Sequence, residues 1–307
     1  MPPIMRWSAG LPGALLAAVG CAAEPAALAP PPLADAPGVR SGGNITHLVG
    51  SLLLHEFPAG GHGSLTIVEK PISLADLDGR EPFTLPYVAA VREGPCQLYP
   101  KPRCSPSCPS DSQCTAPQRC TPIETLFNID IGEVQVRGSS TAPLIRLWFV
   151  GPQYTYAVDP APGTAKLYAG GERLHVSGGT GAYALDAIWP APAPVVVHEP
   201  PAQQPLHLPV AGPFTLRWEP TGGGLMVIFL IASTTAGDWA QIRCLVPDSG
   251  EFTVPASLVS ALPPPPRAVR YELERDEEVL VPLPLGPGVG MLVHAAFTAW
   301  QNGTDPK

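Results

Sequence analysis

Charge is what this chain has least of. Only 14% of its 307 residues are Asp, Glu, Lys or Arg, and nowhere do Lys and Arg gather into a run. The formal net charge is −8, becoming −9 once Arg6 is lost with an N-terminal leader. Phosphate backbones are bound by clustered cations, so nucleic acid is not an expected partner. The sequence also has no G-x-S-x-G elbow, no phosphate loop, no H-E-x-x-H pair and no dinucleotide fingerprint. Those absences remove the hydrolase, nucleotide and dehydrogenase chemistries that short motifs carry. No C-x-x-C pair is present to shuttle electrons. On these grounds no catalytic residue, cofactor or metal ligand is assigned.

Proline and glycine, by contrast, are abundant, at 42 and 31 residues. Pro is barred from helix interiors and Gly weakens them, so breaks about every ten residues favour short strands. With 45% hydrophobic residues in patterned runs, the chain reads as folded and loop-rich rather than disordered.

The N-terminal "MPPIMRWSAGLPGALLAAVGC" joins Arg6 to an apolar stretch from Leu11 to Val19 that stops at Gly20 and Cys21. That is the layout of an export signal over residues 1–20. The stretch is about half the roughly 20 residues a membrane-spanning helix needs, so cleavage is expected rather than anchoring by the peptide itself. Residues 21–43 are rich in Pro and Ala, lack periodicity and read as an extended tether. The stretch "AVGC" resembles a bacterial lipobox, with Ala18 where such boxes usually carry Leu. The resemblance implies that Cys21 is lipidated and becomes the first mature residue, so that the membrane is a partner through that anchor. Ala22 and Ala23 follow it, with no Asp, which implies outer-membrane or surface placement; a secreted or periplasmic chain is the alternative.

Lipidation of Cys21 leaves Cys96, Cys104, Cys108, Cys114, Cys120 and Cys244. That even number in an oxidising compartment suffices for three disulfides. Four of them fall in "CSPSCPSDSQCTAPQRC", with gaps of three, five and five residues and no histidine between. Four-thiolate zinc sites use two close C-x2-C pairs, so this spacing favours disulfides over zinc. The insert at 94–122 has almost no large apolar residue to bury and is expected to be stapled covalently. Alternating closure, Cys104 to Cys114 and Cys108 to Cys120, is one expectation. Cys244 shares the inward phase of "QIRCLVP" with Ile242 and Val246. Two readings stand for it: a buried free thiol, or a bridge to Cys96, which is otherwise left unpaired.

Order is expected from Asn44. "THLVGSLLLHEF" and "GSLTIVEKPISL" are apolar runs broken by Gly and Pro, as strands are. Ile129 and Ile131, then Val134 and Val136, alternate in two phases around Gly132, which predicts a bulge there. After the break "EPPAQQP", the stretch "LMVIFLIAS" reads as a central buried strand, and about seven strands follow from Leu206 in the pattern of an immunoglobulin-like sandwich. The expected fold is therefore all-β, with two β-sandwich-like domains. The first spans 44–203 and carries the Cys-rich insert; the second, 206–301, is immunoglobulin-like. Within it "FTLRWEP" resembles the second strand of fibronectin type III domains, where an alternating apolar strand carries a Trp into the core and ends at a Pro.

Taken together, the lipobox, the proline-rich tether, the C-x3-C-x5-C-x5-C insert and "IRCLVPDSGEFTVP" resemble the surface lipoproteins of myxobacterial-type genomes. The resemblance implies a location and a β-rich build, and brings no reaction with it. Among residues able to carry chemistry, "HEFPAGGH" offers His55, Glu56 and His62, and "LHVSGG" offers His175, but seven scattered histidines produce such a stretch by chance. Asp159, Asp186 and Asp248 lie in turn contexts, where carboxylates cap backbone groups. Tyr154 and Tyr156 share one face of a strand, either to stack on a sugar ring or to pack between sheets. The expected function is a non-enzymatic cell-surface module, structural or binding a protein or glycan. The alternative is an envelope hydrolase or inhibitor with a dispersed site.

Overall fold

Aliphatic and β-branched residues, cut by Gly and Pro, form strands over more than half of the described residues. A computed structural model describes residues 39–41, 45–58, 60–73, 89–101, 114–115, 119–120, 128–151, 155–222 and 224–305. The signal, Cys21, most of the tether, Cys104, Cys108 and Tyr154 lie outside those residues, as do the side chains of Cys114, Cys120 and Tyr156.

In chain order come β1 (Val39–Ser41), the hairpin of β2 (His47–Phe57) and β3 (Gly60–Ser73), and the hairpin of β4 (Val91–Glu93) and β5 (Cys96–Pro100). The pair β6 (Cys114–Thr115) and β7 (Arg119–Cys120) follows. Next are β8 (Val134–Arg137), β9 (Leu144–Val150), β10 (Thr155–Asp159), β11 (Arg173–Gly178) and β12 (Leu185–Pro190). Then stand β13 (Val197–Glu199), β14 (Phe214–Trp218), β15 (Leu225–Ser233), β16 (Trp239–Pro247) and β17 (Glu251–Val254). A short helix α1 (Ala256–Ser260) leads to the two longest strands, β18 (Arg267–Pro282) and β19 (Val289–Asp305).

One nine-stranded sheet has the order β3-β2-β19-β18-β15-β16-β5-β4, with β1 beside β18. A five-stranded sheet is ordered β10-β9-β8-β11-β12, and a three-stranded one β13-β14-β17. The result is a sandwich-like all-β fold. Strands from both sides of the 203–206 break share the large sheet, because β2 pairs in parallel with β19. A parallel pairing of strands so distant in sequence carries no hairpin signal.

Both small sheets cover the same face of the large one. On β15, Met226, Ile228, Leu230 and Ala232 stand beside Arg275, Leu273, Tyr271 and Val269 of β18. With Ile242, Cys244 and Val246 of β16 they form a core closed by Phe214, Leu216 and Trp218 of β14 and by Leu258 and Val259 of α1. Strand side chains alternate, so Val281 of β18 shares the face of Leu273. There, with Met291, Val293 and Ala295 of β19 and Leu52 and Leu54 of β2, it builds another core. Val134, Val136, Ile145, Leu147, Leu174 and Val176 of the five-stranded sheet close that one.

Between the cores, on this same face, stands Arg275 instead of an apolar residue. Its guanidinium donates to Asp248 from Nε at 3.0 Å, to Ala193 O and Pro194 O from Nη1 at 3.1 and 2.6 Å, and to Glu219 O from Nη2 at 2.7 Å. Asp248 also accepts from Trp218 Nε1 at 2.6 Å and from the Thr221 backbone and hydroxyl. The two side chains are 4% and 0% exposed, so the pair is buried and its hydrogen-bonding capacity is filled. Burial alone would raise the Asp248 carboxyl; hydrogen bonds from Thr221, Trp218 and Arg275 hold it below its ordinary value. Ala191 belongs to one core and Val195 and Val197 pack on the other, so the chain crosses between cores over this arginine.

A second buried pair, Arg267 Nε to Asp305 Oδ2 at 2.8 Å, closes the far end of β18 and β19. Nearby, Leu206 bridges to Gly303. A Cβ at Gly303 would lie 2.0 Å from Leu206 O, so the close approach requires glycine.

Three expectations change. Val39–Ser41 of the tether pairs in parallel with Glu278–Leu280, because β18 runs on past the last β15 partner at Asp276 and leaves an edge to cover. Gly132 makes no bulge; at φ 85° it turns the chain just before β8, its N–H held by Asp130. After Leu206 there are six strands, β14 to β19, rather than seven, since β18 and β19 continue for 16 and 17 residues.

Of the two readings of Cys244, the structure has the bridge. Cys96 and Cys244 are cross-strand partners on β5 and β16, disulfide-bonded and fully buried in the core under the three-stranded sheet. The link joins residues 148 apart, for which loop-closure entropy gives about 5 kcal/mol as an upper figure. Replacing both with alanine should lower the free energy of urea unfolding by several kcal/mol. A change under about 0.5 kcal/mol, the usual range of neutral surface substitutions, would contradict this.

Candidate functional site

The other face of the large sheet carries a separate set of buried polar groups. Glu272, Glu274, Asp276 and Glu278 alternate along β18 and so point away from both cores. Ala296 of β19 stands directly between Asp276 and His55 of β2. Two residues either way along β19, on the same face, are His294 and Thr298. One small methyl group is thus ringed by Asp276, His55, His294 and Thr298, with Glu274 opposite Thr298.

Distances within this ring are short. His294 Nε2 lies 3.1 Å from Asp276 Oδ1, with side chains 9% and 11% exposed. Both atoms are fully buried, and they face each other as an ion pair without regular hydrogen-bond geometry. His55 Nε2 hydrogen-bonds the Thr298 hydroxyl and lies 3.5 Å from Glu274 Oε2. The ligating atoms of Glu274, Asp276 and His294 all fall within 4.8 Å of one another. Burial opposes charge on His294, but Asp276 beside it carries the imidazole up to about 10. Burial, with His294 nearby, pushes His55 down to about 4. The two imidazoles therefore differ at neutral pH, one charged against a carboxylate and one neutral.

The histidine-rich stretch singled out by sequence is divided between faces. His62 is the cross-strand partner of His55 and is exposed. Glu56 points the opposite way, fully buried, and accepts the backbone N–H of Leu167. His175 is far along the chain on β11, paired with Asp186 at 2.6 Å on the outer face of the five-stranded sheet. Asp159 is exposed at the end of β10. Glu274, Asp276 and His294 were not legible as a group. The available signal was acids at every second residue in "YELERDEE", which on an interior strand must share one face.

Two other features could meet a ligand. On the outer face of the five-stranded sheet Trp148 is 39% exposed, beside Ala157 of the edge strand β10. A hydrogen-bonded row fixes the polar side chains of that face: Arg146 is bidentate to Glu133, Gln135 donates to Glu133, and Arg137 donates to Gln135. The hydrogen bonds from Arg146 pull the Glu133 carboxyl down to about 2. Around the same edge strand lies a groove lined by His62, Ser64, Thr66, Asn128, Ala157 and Val158. No known family model matches the chain, and no curated protein resembles it in sequence at a significant level.

Glu56 is not part of the ring, and its environment is testable. Burial raises its carboxyl above the ordinary 4.5, so the fold loses stability as pH rises past 4.5 through that higher value. Glu56→Gln keeps the acceptor for Leu167 and removes the buried charge. The variant should be more stable than the parent at about pH 8 and equal to it near pH 4; a variant less stable at both would show that the carboxylate itself is required.

Proposed function

We propose that the chain is a non-enzymatic bacterial surface module, held to the membrane by a lipid at Cys21, that binds a glycan through the outer face of its five-stranded sheet. The observation that carries this reading is the exposed indole of Trp148 beside a row of polar side chains already held by one another. An indole face stacks on the apolar face of a sugar ring. Fixed Arg, Gln and Glu groups hydrogen-bond hydroxyls without first losing rotamer freedom. Two filled cores and the Arg275 and Arg267 pairs supply a stiff support, which a preorganised binding surface needs.

The test is co-sedimentation of the full chain with insoluble envelope polysaccharide, parent against Trp148→Ala. The parent should pellet with the polysaccharide and the variant should lose at least about 1 kcal/mol of binding. Equal pelleting of the two, or capture by envelope protein after polysaccharide digestion, would move the ligand elsewhere. Cys21→Ser, in the same cells, should release the protein from membranes.

A further inference from the structure

We propose that Glu274, Asp276 and His294 bind one divalent transition-metal ion of the zinc type. Three donor atoms, one imidazole nitrogen and two carboxylate oxygens, lie within 4.8 Å of one another on two neighbouring strands. Donors bound to a common ion at about 2.0–2.2 Å lie at most about 4.4 Å apart, so small side-chain movements bring this set onto one ion. A second observation points to a ligand. His294 is nine-tenths buried, and its Nε2 meets Asp276 Oδ1 at 3.1 Å as an ion pair without regular hydrogen-bond geometry. A divalent ion can take the place of the imidazole proton between the two atoms, His294 releasing that proton as it binds. A buried polar atom without a good hydrogen bond is costly, and an ion would satisfy both at once.

Ala296, the residue between these side chains on the face, ends at its methyl, so no larger side chain stands between them. His55 approaches Glu274 at 3.5 Å and hydrogen-bonds Thr298. It is a positioning residue, steadying a ligand as second-shell groups do. The mixture of imidazole and carboxylate suits zinc, cobalt or manganese better than the all-oxygen sets of calcium and magnesium.

The probe is Co2+ added to the oxidised, chelator-stripped full chain and followed by visible absorption, with Zn2+ titrated calorimetrically. One equivalent should bind with a nitrogen–oxygen ligand spectrum. Glu274→Gln, Asp276→Asn and His294→Gln should each weaken binding by at least about tenfold, while His62→Gln, an exposed neighbour, should not. Because a ring variant can fail to fold, imidazole NMR of the parent gives an independent reading. Zn2+ should move the His294 Nε2 signal and leave that of exposed His198 in place. No saturable binding, a thiolate spectrum, an unmoved His294 signal, or affinity unaltered in a folded Asp276→Asn variant would overturn the site.

Discussion

The buried pair of Arg275 with Asp248 is the point on which the rest of this architecture turns. A single sheet face carries two cores, and at their border the side chain facing the small sheets is a guanidinium, 4% exposed. A charge taken so far from water is tolerated only where its donors are filled. Here they reach Asp248, the crossing segment at Ala193 and Pro194, and Glu219 beyond β14. One side chain therefore holds the linker, the end of β14, the turn after β16 and β18 in fixed relation. Asp248 repays this by also taking the Trp218 indole N–H, which fixes the largest side chain of β14 in its core.

This arrangement leaves the two faces of the large sheet with different tasks. Apolar residues at odd positions of β18 and β19 meet the small sheets, while acids and histidine at even positions meet one another. Strand periodicity makes that division automatic, because a residue cannot change face without a slip in register. The polar ring over Ala296 is thus held by the same pairings that build the cores. Its geometry is as rigid as the sheet, which is what an ion site or a stable ion pair requires. The outer face of the five-stranded sheet, with Trp148 and its ordered row of charges, is a separate surface and depends on the cores only for support.

Much of the fold was legible in the sequence because it is written in short-range alternation. Phe214, Leu216 and Trp218, or Ile242, Cys244 and Val246, declare their inward face by spacing alone, and both sets are buried. The all-β class follows from Pro and Gly punctuation. The Cys96–Cys244 bridge was one of two readings, separated only when strand pairing put the two residues opposite each other. What alternation could not reveal was partnership. Nothing local tells β2 to pair with β19, or places His55 beside residues more than two hundred positions away. The ring and the Arg275 clamp both arise from such long-range pairings, and so the residues most able to carry chemistry stayed hidden while the core residues did not.

Arg275 joins the two cores, and hydrogen exchange along a denaturant series, comparing the parent with Arg275→Met, is the measurement closest to that junction. Removing one partner of a buried pair costs about 3–5 kcal/mol. In the variant, β14 and β17 amides should lose protection at lower denaturant than those of β8 and β11, whereas all four strands should open together in the parent. A variant whose four strands still open together, with stability reduced by less than about 1 kcal/mol, would contradict it.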